Sequence, residues 1–262
     1  MSDENFNILS IETCTAAGSV AVVRSSDLKV LALNEWTRGR SHAEVMTPAM
    51  DDAVKMVGGF KEIHAVAVGI GPGSFTGIRV GLNAARAAAW NLKLPLVPIR
   101  TTDALLEGAV SSGAGERSPC SFGAVINAQM GMIFGAIATT GASAIETAST
   151  SPAATKKSGV LGYSLPVAMT PNDFAKQFQS SSENNLFLVG DGVDLVRESF
   201  AAKNIRFRQL DRSLDFPHAA TVGRMAARKI FGQAPEALVR NFTWQQAQPL
   251  YIRGSGAEEK KG

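Results

Sequence analysis

Residues 69–90 read GIGPGSFTGIRVGLNAARAAAW, and the fold follows from how this stretch is read. The residues leading into it, 63–69, are a continuous apolar run, which predicts a buried strand. Gly69, Gly71, Pro72 and Gly73 then make a tight turn, and Ser74 or Thr76 is placed to cap a helix over 76–92. Such a helix N-terminus presents free backbone N–H groups and suits a phosphate or carboxylate; a capped turn without a ligand explains the same residues. The turn is not a Walker loop, because Thr76 rather than Gly stands five positions after Gly71 and no Lys follows. It also fails the dinucleotide fingerprint, since Ser74 occupies the place of the third glycine. Downstream, Gly77, Gly81, Ala85 and Ala89 recur at four-residue spacing beside Ala84 and Ala88, with Arg79 and Arg86 as the charged residues. Small side chains let a neighbouring backbone approach closely, and a helix this apolar is buried on several sides. One side is its own sheet; another needs the preceding helix or a second chain.

Upstream, 7–13, 18–24 and 28–36 are short runs rich in Ile, Val and Leu, as in a three-strand meander. Residues 41–57 switch to helical spacing with Ala43, Met46, Met50, Ala53 or Val54, and Val57 on one stripe, which Pro48 interrupts and bends. After the glycine turn come a short strand at 94–98 and a helix at 101–110. A linker at 111–119 leads to strands at 121–127 and 131–139 and a weaker one near 144. Residues 150–162 are loop-like, 171–179 and 193–203 helical, and 185–189 is a buried strand ending in Gly190-Asp191-Gly192. A last amphipathic helix spans 216–231, with Pro217 at its start and Arg224, Arg228 and Lys229 outward. Meander, helix, strand, helix thus occurs twice, without sequence identity between the halves. The expected division is a first lobe over 1–110 and a second over 111–253, with the helix at 216–231 packing back on the first; 254–262 is read as a disordered tail.

The 262 residues suit two packed lobes better than one core. A formal charge of +3 from scattered basic residues is too weak to argue for nucleic-acid binding. Cys14 and Cys120 are too few for a disulfide scaffold and too far apart for a paired metal motif, which favours a reducing cytoplasm. The opening MSDENFNILS has no positive leader, and no run of apolar residues reaches spanning length, so neither secretion nor a membrane span is expected.

His42-Ala43-Glu44 and Pro119-Cys120 resemble part of a zinc deaminase signature, but Gly123 stands where its second cysteine belongs. His42, His64 and His218 have no ligand spacing, so no metal site is expected. Ser74 lacks the flanking glycines of a nucleophile elbow. Glu12 ends the first strand ahead of Thr13, Cys14 and Thr15, where a two-lobed ATPase meets phosphate or magnesium. Asp191, between two glycines, is a second such place, although strand-end carboxylates also cap turns.

In these residues the chain resembles the TsaB (YeaZ) family, a subunit of the machinery that makes threonylcarbamoyladenosine at position 37 of tRNA. The resemblance rests on GPGSFTGIRVG at 71–81, supported by ILSIETCTAAGSVAVV at 8–23, SHAEVMTPAM at 41–50 and PLYIR at 249–253. It implies the two-lobed actin, sugar kinase and Hsp70 (ASKHA) fold, each lobe a mixed sheet with helices. It further implies a non-catalytic subunit that dimerises with a TsaD-like catalytic paralogue through helices 41–57 and 76–92, in a complex that engages a TsaE-like ATPase. The metal-binding histidines of that paralogue have no counterpart here, where the sequence reads Pro98-Ile99-Arg100-Thr101-Thr102-Asp103. Glu12 replaces the family's commoner Asp, and Asn127-Ala128-Gln129 replaces Asp-Ala-Arg. The expected partner interface is Met46, Met50, Ile78, Gly81, Leu82 and Ala85. A vestigial nucleotide or phosphate site is expected at Glu12, Thr13, Gly73, Ser74, Thr76 and Asp191. No cofactor is expected to be held tightly, ATP and magnesium being used by the complex, and tRNA is contacted indirectly. The alternatives are a self-sufficient ATPase or kinase of the same fold, and a homodimer through the same helices in isolation.

Overall fold

The computed structural model describes residues 6–37, 41–114, 120–140, 160–179 and 185–252; the expected strand near 144 and the tail at 254–262 lie outside them. The chain divides into two compact units, Met1–Ala104 with Pro217–Tyr251, and Leu105–Phe216 with Ile252–Gly262. The first unit therefore ends six residues earlier than the expected boundary at 110. It also takes back the whole stretch 217–251, not the single helix foreseen.

In the first unit the apolar runs form β1 (Asn7–Glu12), β2 (Gly18–Arg24) and β3 (Val30–Trp36), an antiparallel meander. β4 (Ala65–Gly69) pairs parallel with β1, and β5 (Leu96–Ile99) parallel with β4, giving the order β3-β2-β1-β4-β5. β1, β2 and β4 are buried along nearly their whole length, because helices cover both faces of the sheet. On one face lie α1 (His42–Lys55) and α2 (Phe75–Leu92), which bury Met46, Ala49, Met50, Leu82, Ala85 and Ala89 against Leu9, Val22 and Val66. α1 continues as helix through Pro48. On the other face α6 (Ala219–Ile230) buries Val222, Ala226, Ala227 and Ile230 against Ile8, Ala65, Val97 and Ile99. Gly223 makes that approach close: a Cβ there would stand 2.6 Å from Cγ2 of Val23. α7 (Pro235–Asn241), which was not foreseen, follows α6 and buries Leu238 in the same core.

The second unit carries β6 (Cys120–Asn127) and β7 (Ile133–Thr140) as a hairpin, with β10 (Leu186–Val189) parallel to β6 and β11 (Arg208–Gln209) at one edge. β8 (Val160–Tyr163) and β9 (Val167–Met169) both pair with β7. Residues 160–162, expected as loop, are strand, because β7 offers them a ladder. α4 (Pro171–Lys176) and α5 (Val193–Ala201) cover one face through a cluster of Phe174, Phe178 and Phe200. Gly135 leaves room for it, since a Cβ there would lie 2.7 Å from the Phe174 ring. α3 (Thr101–Ser111) carries the chain out of the first unit and contributes Leu105, Leu106 and Ala109 to the second unit's core. Each unit is thus an antiparallel start followed by helix, strand, helix, as the element order implies.

Candidate functional site

The C-terminal ends of the parallel strands β1, β4 and β5 meet where the glycine turn begins, the usual ligand position in sheets of this kind. Here that position is filled by the chain itself. Glu12 is fully buried, and its Oε1 accepts from the backbone N–H of Cys14 at 2.7 Å. The Thr101 hydroxyl reaches its Oε2 at 3.5 Å. Burial pushes the Glu12 carboxyl up from 4.5 to about 7, against the opposing pull of the Cys14 N–H. The neighbouring Cys14 thiol, also buried, is pushed well up and donates to the Gly69 carbonyl at 3.3 Å.

The turn is stapled to this knot. Ser74 N–H donates to the Cys14 carbonyl at 2.7 Å, and Gly71 N–H to Thr101 Oγ1 at 3.1 Å. Thr101 N–H returns a bond to the Gly71 carbonyl at 2.8 Å. Ser74 is the N-cap of α2, accepting from Gly77 N–H at 3.2 Å, which settles the capping role between Ser74 and Thr76. The backbone donors of Gly71, Ser74 and Gly77 are therefore occupied within the chain.

The small-residue stripe of α2 faces the same knot. A Cβ at Gly73 or Gly77 would overlap the carbonyl oxygens of Cys14 or Thr13, and one at Gly81 would overlap the Thr13 hydroxyl. That hydroxyl donates to the Gly77 carbonyl at 2.8 Å. The stripe is a notch for the chain leaving β1.

This placement corrects the expected interface. Met46, Met50, Ile78, Gly81, Leu82 and Ala85 are all buried inside the first unit. They cannot meet a partner without unfolding it, because a helix packed on its own sheet spends its most apolar face there. What remains outside on α2 is Thr76, Arg79, Asn83, Ala87, Trp90 and Asn91, with Val80, Ala84 and Ala88 half-buried beside them. On α1 it is Ala43, Glu44, Thr47, Pro48, Asp52 and Lys55, followed by the C-cap residue Met56. Met56 is 70% and Trp90 66% exposed, an unusual state for such large apolar side chains. Both helices run from the glycine-turn end of the sheet towards the start of β4 and β5, so these two residues close the same end of the pair.

Of the residues expected to form a nucleotide site, Glu12 and Thr13 are sealed in, Gly73 is half-buried, and Ser74 and Thr76 are exposed. Asp191 belongs to the second unit, where its Oδ1 accepts from Asn127 N–H at 2.9 Å and ties the end of β10 to the end of β6. Asn127 in turn accepts from Gln129 N–H at 2.8 Å. Among the described residues no group of three or more His, Cys, Asp or Glu is arranged to hold a metal, and no helix is long and apolar enough to cross a membrane. Sequence reasoning passed over Thr101, which joins Glu12 to the turn, and placed Thr13 in a phosphate site where the structure uses it to fix the glycines of α2. The available signal was the run Glu12-Thr13-Cys14-Thr15, polar residues ending an otherwise apolar strand.

The family model described as TsaD, tRNA N6-adenosine threonylcarbamoyltransferase, matches residues 37–261. A Haemophilus influenzae protein named tRNA threonylcarbamoyladenosine biosynthesis protein TsaB is 35% identical over 107 residues, 40% of this chain and 44% of that protein. The Escherichia coli protein of the same name is 35% identical over 128 residues, 48% of this chain and 52% of that protein. The chain thus matches about half the length of these curated relatives. A solved Pseudomonas aeruginosa protein described as similar to peptidase YEAZ superposes with a TM-score of 0.70 at 22% identity, over 95% of this chain and all of that one. That likeness bears on the fold, which it places with the two-unit architecture read from the sequence.

Proposed function

We propose what this chain does from a fixed premise: it belongs to the TsaD family, tRNA N6-adenosine threonylcarbamoyltransferase, among relatives named TsaB. It acts in threonylcarbamoyladenosine biosynthesis on tRNA as a TsaB-type subunit in the cytoplasm, without carrying the chemistry. It pairs with a TsaD-type catalytic subunit, and a TsaE-type ATPase joins that pair. The observation that carries this reading is the self-filled strand end: Glu12 is buried on Cys14 N–H, and the N–H groups of Ser74 and Gly71 in the turn are spent on Cys14 O and Thr101 Oγ1. A sealed carboxyl reaches neither magnesium nor phosphate, which argues against a self-sufficient ATPase and for ATP being used by other subunits. The pairing surface we assign to the outer faces of α1 and α2, centred on Ala84, Ala87 and Ala88, whose small side chains admit another helix.

Co-expression with the TsaD-type protein of the same genome, followed by sizing, tests the partner. Ala87→Arg is exposed and expected to abolish co-purification while leaving circular dichroism unchanged. Retained pairing in this variant sinks the surface assignment. Calorimetry with ATP and magnesium on the isolated chain is expected to be silent, and binding with turnover overturns the non-catalytic reading.

A further inference from the structure

The C-terminal end of β3 is gripped by a histidine on each face of the sheet. The Trp36 indole nitrogen lies 2.9 Å from Nδ1 of His42, and Nε2 of His42 lies 2.9 Å from the Thr15 carbonyl oxygen. An indole N–H only donates and a carbonyl only accepts. Both partners therefore demand one form of the ring, neutral, with a bare Nδ1 and a proton on Nε2. Trp36 is itself fixed: it is 6% exposed, and its indole lies where Gly18 has no side chain, a Cβ there standing 2.5 Å from Cζ2. His42 is the first residue of α1, and the N-cap residue Ser41 makes no side-chain capping bond. The imidazole is thus the polar tie between the first turn of α1, β3 and the exit of β1. On the opposite face the adjacent Glu35 meets Nδ1 of His218, the residue before α6, at 2.6 Å. That pairing gains from a proton on its histidine.

We propose that His42 is a proton-operated latch on the first turn of α1, closed when the ring is neutral and released when it is charged. Protonation of half-buried His42 places an N–H on Nδ1 facing the N–H of Trp36. Two donors then oppose each other and the bond is lost. The positive charge also sits at a helix N-terminus, where the helix dipole disfavours it. Among the described residues, the titratable or charged groups on the elements around the ring are Glu44, Asp51, Asp52 and Lys55 on α1, Glu35 on β3 with its His218, Arg24 on β2, Glu12 and Cys14 on the exit of β1, and Arg79 and Arg86 on α2. α1 carries part of the pairing surface assigned above, and only the consequence for pairing rests on that assignment.

Nitrogen-15 NMR of the full chain tests the latch. At pH 8 the His42 ring is expected to show the Nε2–H tautomer with a protected Trp36 indole proton. On acidification to pH 5, protonation of His42 is expected to coincide with loss of that protection and of the amide protection in the first turn of α1. His42→Gln retains one acceptor and one donor but does not titrate, and it is expected to keep both protections at pH 5. A Trp36 indole that stays protected while His42 protonates overturns the proposal; so does a Gln variant that opens as the wild type does. The wild-type titration decides by itself if the variant fails to fold. If the turn opens and co-purification at pH 5 is undiminished, the latch stands and the pairing surface is wrong.

Discussion

Gly69 and Glu12 occupy complementary positions at the ends of two adjacent parallel strands: the side chain that Gly69 lacks would overlap Oε2 of Glu12 and stand 2.6 Å from its Cδ. The absence of a β-carbon on β4 is what allows a carboxyl to lie buried at the end of β1. Gly69→Ala is therefore expected to lower stability by about 1–3 kcal/mol, the usual cost of overpacking. Urea unfolding checks it, and an unchanged midpoint would mean that the carboxyl has another place to go.

The same carboxyl makes stability depend on pH. Its folded value is raised from 4.5 to about 7, so between those values the folded chain binds a proton that the unfolded chain has lost. The stabilising contribution is present in full below 4.5, declines as pH rises through 7, and is gone above it. The total is on the order of 3 kcal/mol. Urea midpoints at pH 5 and pH 8 read this slope. Glu12→Gln, which remains neutral, is expected to flatten the part of the profile between them.

The inner and outer faces of α2 are expected to answer oppositely to substitution. Gly81→Ala forces a methyl onto the Thr13 hydroxyl and breaks its bond to the Gly77 carbonyl, at a cost of about 1–3 kcal/mol. Ala87→Arg, on the exposed side, is expected to change stability by no more than about 0.5 kcal/mol. Thermal or urea denaturation of the two variants beside the wild type checks the contrast. For the same reason Gly81→Arg and Ala85→Arg are poor probes of pairing, because both reach the buried face and unfold the helix seat.

How much of this was legible in the sequence depends on the kind of signal. The meander, the strand before the glycine turn and the helix after it were readable because apolar periodicity and capping residues are local. Which face of α2 is inside was not. Gly77, Gly81, Ala85 and Ala89 form one row and Ala84 and Ala88 another, and small residues fit equally against a sheet or a partner. The tertiary fact that decides it, Thr13 lying across Gly77 and Gly81, joins residues more than sixty positions apart. β9 and β11 were missed because three and two residues carry no period, and β8 because its Ser, Thr and Lys surroundings read as loop. α7 had a usable sign, Pro235 at its first position.

The return of 217–251 to the first unit sets an order of events during synthesis. Until that stretch leaves the ribosome, the β-sheet face formed by Ile8, Ala65, Val97 and Ile99 has no α6 to cover it, whereas residues 105–216 are already complete but for a short closing segment. Domains ordinarily mature in the order they are made. In this chain the first unit to begin is the one that waits, and a nascent chain stopped before Pro217 carries an apolar sheet face open to whatever chaperone or neighbour meets it first.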